Sequence, residues 1–501
     1  MPVKDLLSKI DYAEWAGLRY RKLDGLERFL EGKAYEHLQI PFSVEKEGNG
    51  RYVPLRERRP SVIYNIPKVI VSRTSRLLFG GKHWPKFQTS NKDATDFLQN
   101  ITDTSDLQRA MLEAARIGSI GSVAVVFYIK EEKFFFDVIN PKFCQPRLDD
   151  NRELDSLLIM YPVFGYDLIA VGYNIEDEDV NEEFLFAKKF TKQEEIFYQP
   201  IKSCEFTGVS DLQVDTKRTV EHNMGLVPAV WIKNLPPTNS VDGGCTFEQV
   251  LNFCVEIDYQ LSQCGRGLKY NADPQLLVKE GMDGSEEGLE IRSTASTLIV
   301  GEKGDAKLLQ IDGAGQKAVL EYVKQVRQYA LEVACSSRKD PESSYGNMSG
   351  RAMEILDADL ISIVSELRLT YGESGLKPLC EKIIRAAVKA KILDKDFTAE
   401  KGFNIDLYWG NWFEPTPVDL TQIETALSEA VKNRRMYSHE ARMITATVWD
   451  IGNDDPEALE AQWPLPPEPP ISAEVQAELD LKEKKIKATP GDDGRGNNRA
   501  V

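Results

Sequence analysis

The chain has 501 residues, 42% apolar and 9% aromatic, which allows two to four domains with a large buried core and excludes wholesale disorder. Its formal charge of −17 argues against a sequence-specific DNA reader, which shows a basic footprint, but not against a protein that lets DNA pass without holding it. The seven cysteines are odd in number and scattered, with no CxxC, as suits a reducing compartment.

The start, "MPVKDLLSKIDYAEWAGL", lacks the unbroken apolar core of a signal peptide. The first 60 residues are predicted to be mainly helical, with Trp15, Tyr20, Leu26 and Phe29 available for packing. "YNIPKVIVSRTSRLLFGG" (64–81) reads as a punctuated helix: Asn65 caps it, Pro67 sits in its first turn and Gly80-Gly81 ends it. A second helix over 105–118 runs into a hairpin with strands Val123–Ile129 and Phe134–Ile139 and a turn at Lys130–Lys133. "SLLIMYPVFGYDLIAVGY" (156–173) has the length of a membrane span, but Pro162, Gly165 and Asp167 interrupt it. We expect two buried strands around a turn, and a soluble chain. "EDEDVNEE" (176–183) lacks the glycine and ligand spacing of a calcium loop and reads as a solvated hairpin tip. Further strands are expected to about 200 and again at 226–234, so the first half is α+β.

After 244 the pattern changes. Phe247, Val250, Cys254, Ile257, Leu261, Cys264 and Leu268 recur at alternating steps of three and four, the narrow seam of a helix packed against other helices. It should run from about 246 to 271, roughly 39 Å. Gly265 and Gly267 inside it cost about 1 kcal/mol each unless close approach or a bend repays them. Residues 273–314 read as short strands and glycine turns. A second helix (about 315–337) carries Val319, Tyr322, Val326, Tyr329/Ala330 and Val333 at helical spacing. A third, to about 391, carries Met353, Leu356, Leu360, Val364, Leu367 and Tyr371, with a kink expected at "YGESGLKP" (371–378). The second and third are joined by "RKDPESSYGNMSG" (338–350), against the roughly two to eight residues that usually join antiparallel helices. "FNIDLYWGNW" (403–412) alternates like a strand. Two amphipathic helices follow at 418–433 and 438–452, the second capped by Ser438. "PLPPEPP" (464–470) ends compact structure and the tail beyond about 485 reads as disordered.

Enzymatic signatures are mostly missing. There is no G-x-x-x-x-G-K-[ST], G-x-S-x-G or H-E-x-x-H, and "GSIGS" (118–122) leads into a strand instead of out of one. His37, His83, His222 and His439 lie far apart in sequence, and no catalytic, cofactor or metal residue is assigned. The more specific constellation is a pair of seam-bearing helices flanking a small β-module, then a polar loop and a long helix. Such a subunit suits packing beside copies of itself. Cyclic symmetry would then turn Arg338 and Lys339 into a band of cations, and Tyr345 and Asn347 into a band of adaptable contacts.

Several stretches, in collinear order over roughly residues 10–465, resemble the portal proteins (head–tail connectors) of tailed double-stranded DNA bacteriophages. They are "NIPKVIVSRTSRLLFG" (65–80), "EAARIGSIGSVAVVFYI" (113–129) with "VINP" (138–141), "EHNMGLVPAVWIKN" (221–234), "YGNMSGRAMEI" (345–355) and "FNIDLYWGNWFEPTPVDLTQIETA" (403–426) running into "SHEARM". Residues 176–183 and the tail after 470 match nothing in that pattern.

The resemblance implies a predominantly helical α+β subunit with an α/β wing (1–244), a two-helix stem (245–272 and 315–337) and a small β-containing clip (273–314). It also implies a tunnel loop (338–350), a kinked spine helix (351–393), a crown (394–465) and a mostly disordered tail (466–501). It implies a non-enzymatic ring, typically of twelve subunits, at one capsid vertex of the virion, assembled in the host cytoplasm and conducting double-stranded DNA without sequence preference. Implied partners are the terminase large subunit, major capsid and scaffolding proteins, and head-completion or adaptor proteins; no membrane and no cofactor are implied. By position, Arg338, Lys339, Ser343, Ser344, Tyr345 and Asn347 would meet DNA, and Lys317, Glu321, Lys324 and Gln328 are candidates for the channel face of the stem. Glu280, Asp283, Glu286, Glu287, Glu302, Lys303 and Asp305 would lie on the clip, facing the motor or adaptors. The competing readings are a helicase or nuclease, the first disfavoured by the missing P-loop, and a plain capsid or scaffold protein.

Overall fold

The computed structural model describes residues 3–236, 240–272, 275–279, 305–309, 314–336, 350–394, 396–399, 402–413 and 416–448. These form a mixed helical and stranded α+β chain, with helix the larger share. Its contacts divide it into two units, residues 1–346 with 352–413, and residues 347–351 with those from 414 onward.

In the first unit, helices α1 (Leu18–Glu31), α2 (Ile66–Phe79), α3 (Lys92–Thr104) and α4 (Leu107–Gly118) precede the two larger sheets. The α2 punctuation is as expected: the Asn65 side chain accepts from the Lys68 amide, and Gly80 follows the last turn. The hairpin is also found, as β1 (Ser122–Lys130) and β2 (Lys133–Ile139). Its two turn residues, Glu131 and Glu132, both have positive φ (52° and 61°), a primed turn made without glycine or asparagine. A third strand, β6 (Ala229–Lys233), pairs antiparallel with the other edge of β1.

A second antiparallel sheet is built on β3 (Cys144–Leu148), β4 (Leu154–Phe164) and β5 (Glu183–Phe190). Here the expectation for 156–173 needs correction. Only its first part is strand; Gly165–Ala170 is a short helix. A side chain at 165 would collide with the Asp179 carbonyl, 2.6 Å from the position a Cβ would take, and the helix buries Leu168 while Tyr166, Ile169 and Val171 stay exposed. The acidic run lies in the β4–β5 connection, with Asp177–Asp179 as a single turn that exposes Asp177 and Glu178, and Lys202 on the half-buried Asp179 at 2.7 Å. No helix among the described residues is long and apolar enough to cross a membrane.

The three-stranded sheet is buried on both faces, which is why β1 reads as a continuous apolar run. One face (Ala124, Val126, Ala229, Trp231) meets Leu157, Ile159 and Phe190 of the larger sheet. The other (Val123, Val125, Phe127, Ile232) meets α4 and a long helical run over 358–389.

That run consists of α7 (Ala358–Leu367), a π-helical stretch Arg368–Leu376, and α8 (Lys377–Lys389). The π-helical stretch falls where the kink is expected. Pro378 has no N–H to donate, and the helix widens just before it. A Cβ on Gly372 would lie 2.8 Å from Trp409, and one on Gly375 2.8 Å from Ile232, so both glycines permit close packing. Arg368 stacks on Trp412 (3.3 Å to the ring centroid) and Trp409 (4.7 Å), and burial lowers its pKa to about 10. The predicted strand at 403–412 is shorter, Ile405–Tyr408, paired antiparallel with Lys86–Thr89.

The second unit contains α9 (Pro417–Lys432) and α10 (Ser438–Val448). Thr416 and Asp419 form a capping box on α9, and the Asp419 carboxylate also accepts from the Gly350 amide at 2.6 Å. Ser438 is the first residue of α10, not its cap; the Tyr437 amide donates to Glu440 instead. All seven cysteines are free thiols.

Candidate nucleic-acid interface

The two seam-bearing helices are present as α5 (Leu251–Ala272) and α6 (Ala314–Val333), and they pack against each other. The α5 seam is buried from Phe247 through Val250, Cys254 and Ile257 to Cys264; Leu261 is half-buried and Leu268 is exposed. Gly267 stands where a Cβ would lie 3.3 Å from Gln316, a close approach of the two helices. Gly265 has no such neighbour. On α6 the apolar pattern splits. Val326, Ala330, Leu331 and Ala334 are buried, whereas Tyr322 (46% exposed), Tyr329 (54%) and Val333 (44%) face outward.

Polar groups on α5 bind it to the N-terminal segment. Asp258 is 2% exposed; it accepts from the Tyr35 hydroxyl at 2.9 Å and from the Tyr64 amide at 2.6 Å. Burial outweighs both hydrogen bonds and pushes its pKa up to about 7. One turn on, the buried Ser262 hydroxyl donates to the Asp258 carbonyl and accepts from the amides of Ser61 and Val62. Tyr259 donates to the Arg58 carbonyl. The hairpin is therefore fixed by buried hydrogen bonds as well as by apolar contact.

The four candidate channel residues of α6, Lys317, Glu321, Lys324 and Gln328, are all exposed, and their spacing puts them on one stripe of the helix. They carry two positive charges and one negative. Asp305 begins the strand Asp305–Leu309, paired antiparallel with Gln275–Lys279, so a small β-element does stand between α5 and α6. Glu280, Asp283, Glu286, Glu287, Glu302 and Lys303 lie outside the described residues, as do Arg338, Lys339, Ser343, Ser344, Tyr345 and Asn347.

A residue the sequence did not single out ties the end of α6 to the start of α7. Arg73 of α2 donates to the Ser336 carbonyl at 2.8 Å, just beyond α6, and to Asp357 at 3.3 Å, at the start of α7. Asp258 was missed as well. A lone acid inside an apolar seam was the available signal, since a buried acid needs partners. Among the described residues no group of three or more His, Cys, Asp or Glu is placed to hold a metal ion.

The fold and this hairpin define a class: an α+β subunit that presents an antiparallel helix pair, anchored along one side and polar along the other. Residues 17–460 match the family model described as phage portal protein, SPP1 Gp6-like, and the chain belongs to that family. The family is structural, not enzymatic. No curated protein matches the chain.

Proposed function

We propose that the chain is one subunit of a closed ring at a single capsid vertex, the conduit for double-stranded DNA during packaging and ejection. In this reading residues 1–244 and 351–393 form the wing and its spine, α5 and α6 the stem, 273–314 the clip, 338–350 the tunnel loop and 394–465 the crown. The observation that carries it is the α5–α6 hairpin, buried on its inner side and exposed on a near-neutral polar stripe, in a chain of the portal family.

A channel wall must meet phosphates without trapping them. Lys317 and Lys324, with Glu321 between them, give a shallow potential of mixed sign. The chain's overall charge of −17 opposes prolonged binding, and salt screens what attraction remains. Arg338 and Lys339, repeated around the axis, supply a narrow cationic band, with Ser343, Ser344, Tyr345 and Asn347 as adaptable contacts. The clip, with Glu280, Asp283, Glu286, Glu287, Glu302, Lys303 and Asp305, is the docking surface for the terminase large subunit and later for head-completion or adaptor proteins. Major capsid and scaffolding proteins meet the ring at the vertex.

Charge reversal at Lys339 (Lys339→Glu) tests the conduit. Rings should form as before while DNA packaging or retention falls. Unchanged packaging by intact mutant rings would contradict the role assigned to the loop.

A further inference from the structure

A groove of about 700 Å³ runs between α5 and the segments around Tyr35–Ser43 and Arg59–Ile63. Gly265, which has no atom within 4 Å of a would-be Cβ, leaves its floor open. Val62 and Ile63 line it and are 40% and 43% exposed, and of its exposed charges Arg59 and Lys269 outnumber the one acid, Glu36. Elsewhere on the hairpin, Tyr322, Tyr329 and Val333 form the exposed apolar stripe of α6, with exposed Glu321 and Glu332 beside it.

The two surfaces lie on opposite flanks. Arg327 sits over the Tyr64 ring at 5.7 Å, which fixes the flank of α6 that faces the 59–64 segment. At 3.6 residues per turn, Tyr322 and Tyr329 stand about 140° and 160° around the helix from Arg327. They also match in height. Gln316 faces Gly267, so Tyr322, about 9 Å further along α6, is level with Leu261 and Ser262 of the antiparallel α5, and Ser262 lines the groove.

We infer that the groove is the receiving half of a head-to-tail contact between copies of this chain, and that Tyr322 of the next copy is its occupant. Two different patches on opposite flanks of one subunit cannot pair across a two-fold axis, but they can close a cycle. Cyclic copies share one height, so the ridge a groove meets is the one at its own level. The charges fit, an excess of cations along the groove against acids beside the stripe, and a half-exposed tyrosine entering a mainly apolar pocket is the usual form of an interface anchor. The inference rests on the ring reading and adds the flanks, the groove and the anchor.

The test is cysteine cross-linking of the full-length protein with the exposed Cys204 replaced by serine. Ile63→Cys combined with Tyr322→Cys should give, on oxidation, a ladder of covalent oligomers up to the ring size, and neither single variant should. Tyr322→Ala should raise the concentration needed for assembly on the order of tenfold. Intact rings without a ladder from the double variant would overturn the groove assignment and leave the ring reading standing. Covalent dimers from Tyr322→Cys alone would show a two-fold contact and overturn it too. A wild-type chain that forms no ring would remove both.

Discussion

The α5–α6 hairpin and the helical run over 358–389 carry similar apolar spacing in the sequence and end in opposite surroundings. In the second run Tyr371, Leu376, Leu379, Cys380, Ile383 and Ile384 are all fully buried, and its glycines admit neighbouring elements. In the hairpin the buried arc is narrower and is closed by hydrogen bonds to Asp258 and Ser262. One flank of α6 is left as exposed tyrosine and another as mixed charge. Periodicity tells which side of a helix is inward, whereas the width of the apolar arc tells how much of it remains for partners. The core run holds the subunit together, and the hairpin is the part free to act on something else.

That contrast is testable by substitution. The largest effect is expected from Ile383→Ala, which empties a fully buried site and should cost about 3 kcal/mol in denaturant unfolding of the subunit. Tyr329→Ala, on the exposed flank, should cost the isolated subunit about 0.5 kcal/mol. Equal losses would erase the distinction between the two regions.

Asp258→Ala should come next, at roughly 2 kcal/mol, because it strands the Tyr35 hydroxyl and the Tyr64 amide. Asp258 also gives a signed pH dependence. Its folded pKa is raised from 3.8 to about 7, so the folded chain binds this proton more tightly than the unfolded one. The stabilisation is complete below 3.8 and is lost as pH rises through about 7. Stability measured from pH 5 to 8 should therefore fall from this site, and Asp258→Asn should flatten that slope.

A smaller effect is expected where Arg73 ties the end of α6 to the start of α7. Arg73→Ala should cost about 1 kcal/mol, and a double-mutant cycle with Asp357→Ala should return a coupling of about 0.5 kcal/mol for the half-exposed pair. The smallest effect on stability, within about 0.5 kcal/mol, belongs to Lys324→Glu on the exposed stripe. That variant should alter DNA passage alone.

Much of this organisation was legible in the chain. Asn65 and the Gly80-Gly81 pair bound α2 because capping is local chemistry, and the 123–139 hairpin follows from uninterrupted β-formers around a tight turn. The α5 seam was readable up to Cys264. Leu268 and Tyr322 were not, since a residue at the edge of an apolar arc is covered or exposed by what lies beside it, not by its spacing. The 165–170 helix was hidden for a related reason: a carbonyl from the acidic segment occupies the space beside Gly165. Arg73 was illegible because its partners, Ser336 and Asp357, are remote in sequence and meet only through the tertiary fold.

The central claim is that the α5–α6 hairpin is repeated around an axis and leaves a passage for duplex DNA. Electron micrographs of the purified full-length protein, with the mass of the same particles, test it most directly. The account predicts closed rings of fixed subunit number with a central hole wide enough for the duplex. Solid particles, open assemblies or monomers at assembly concentrations would contradict it.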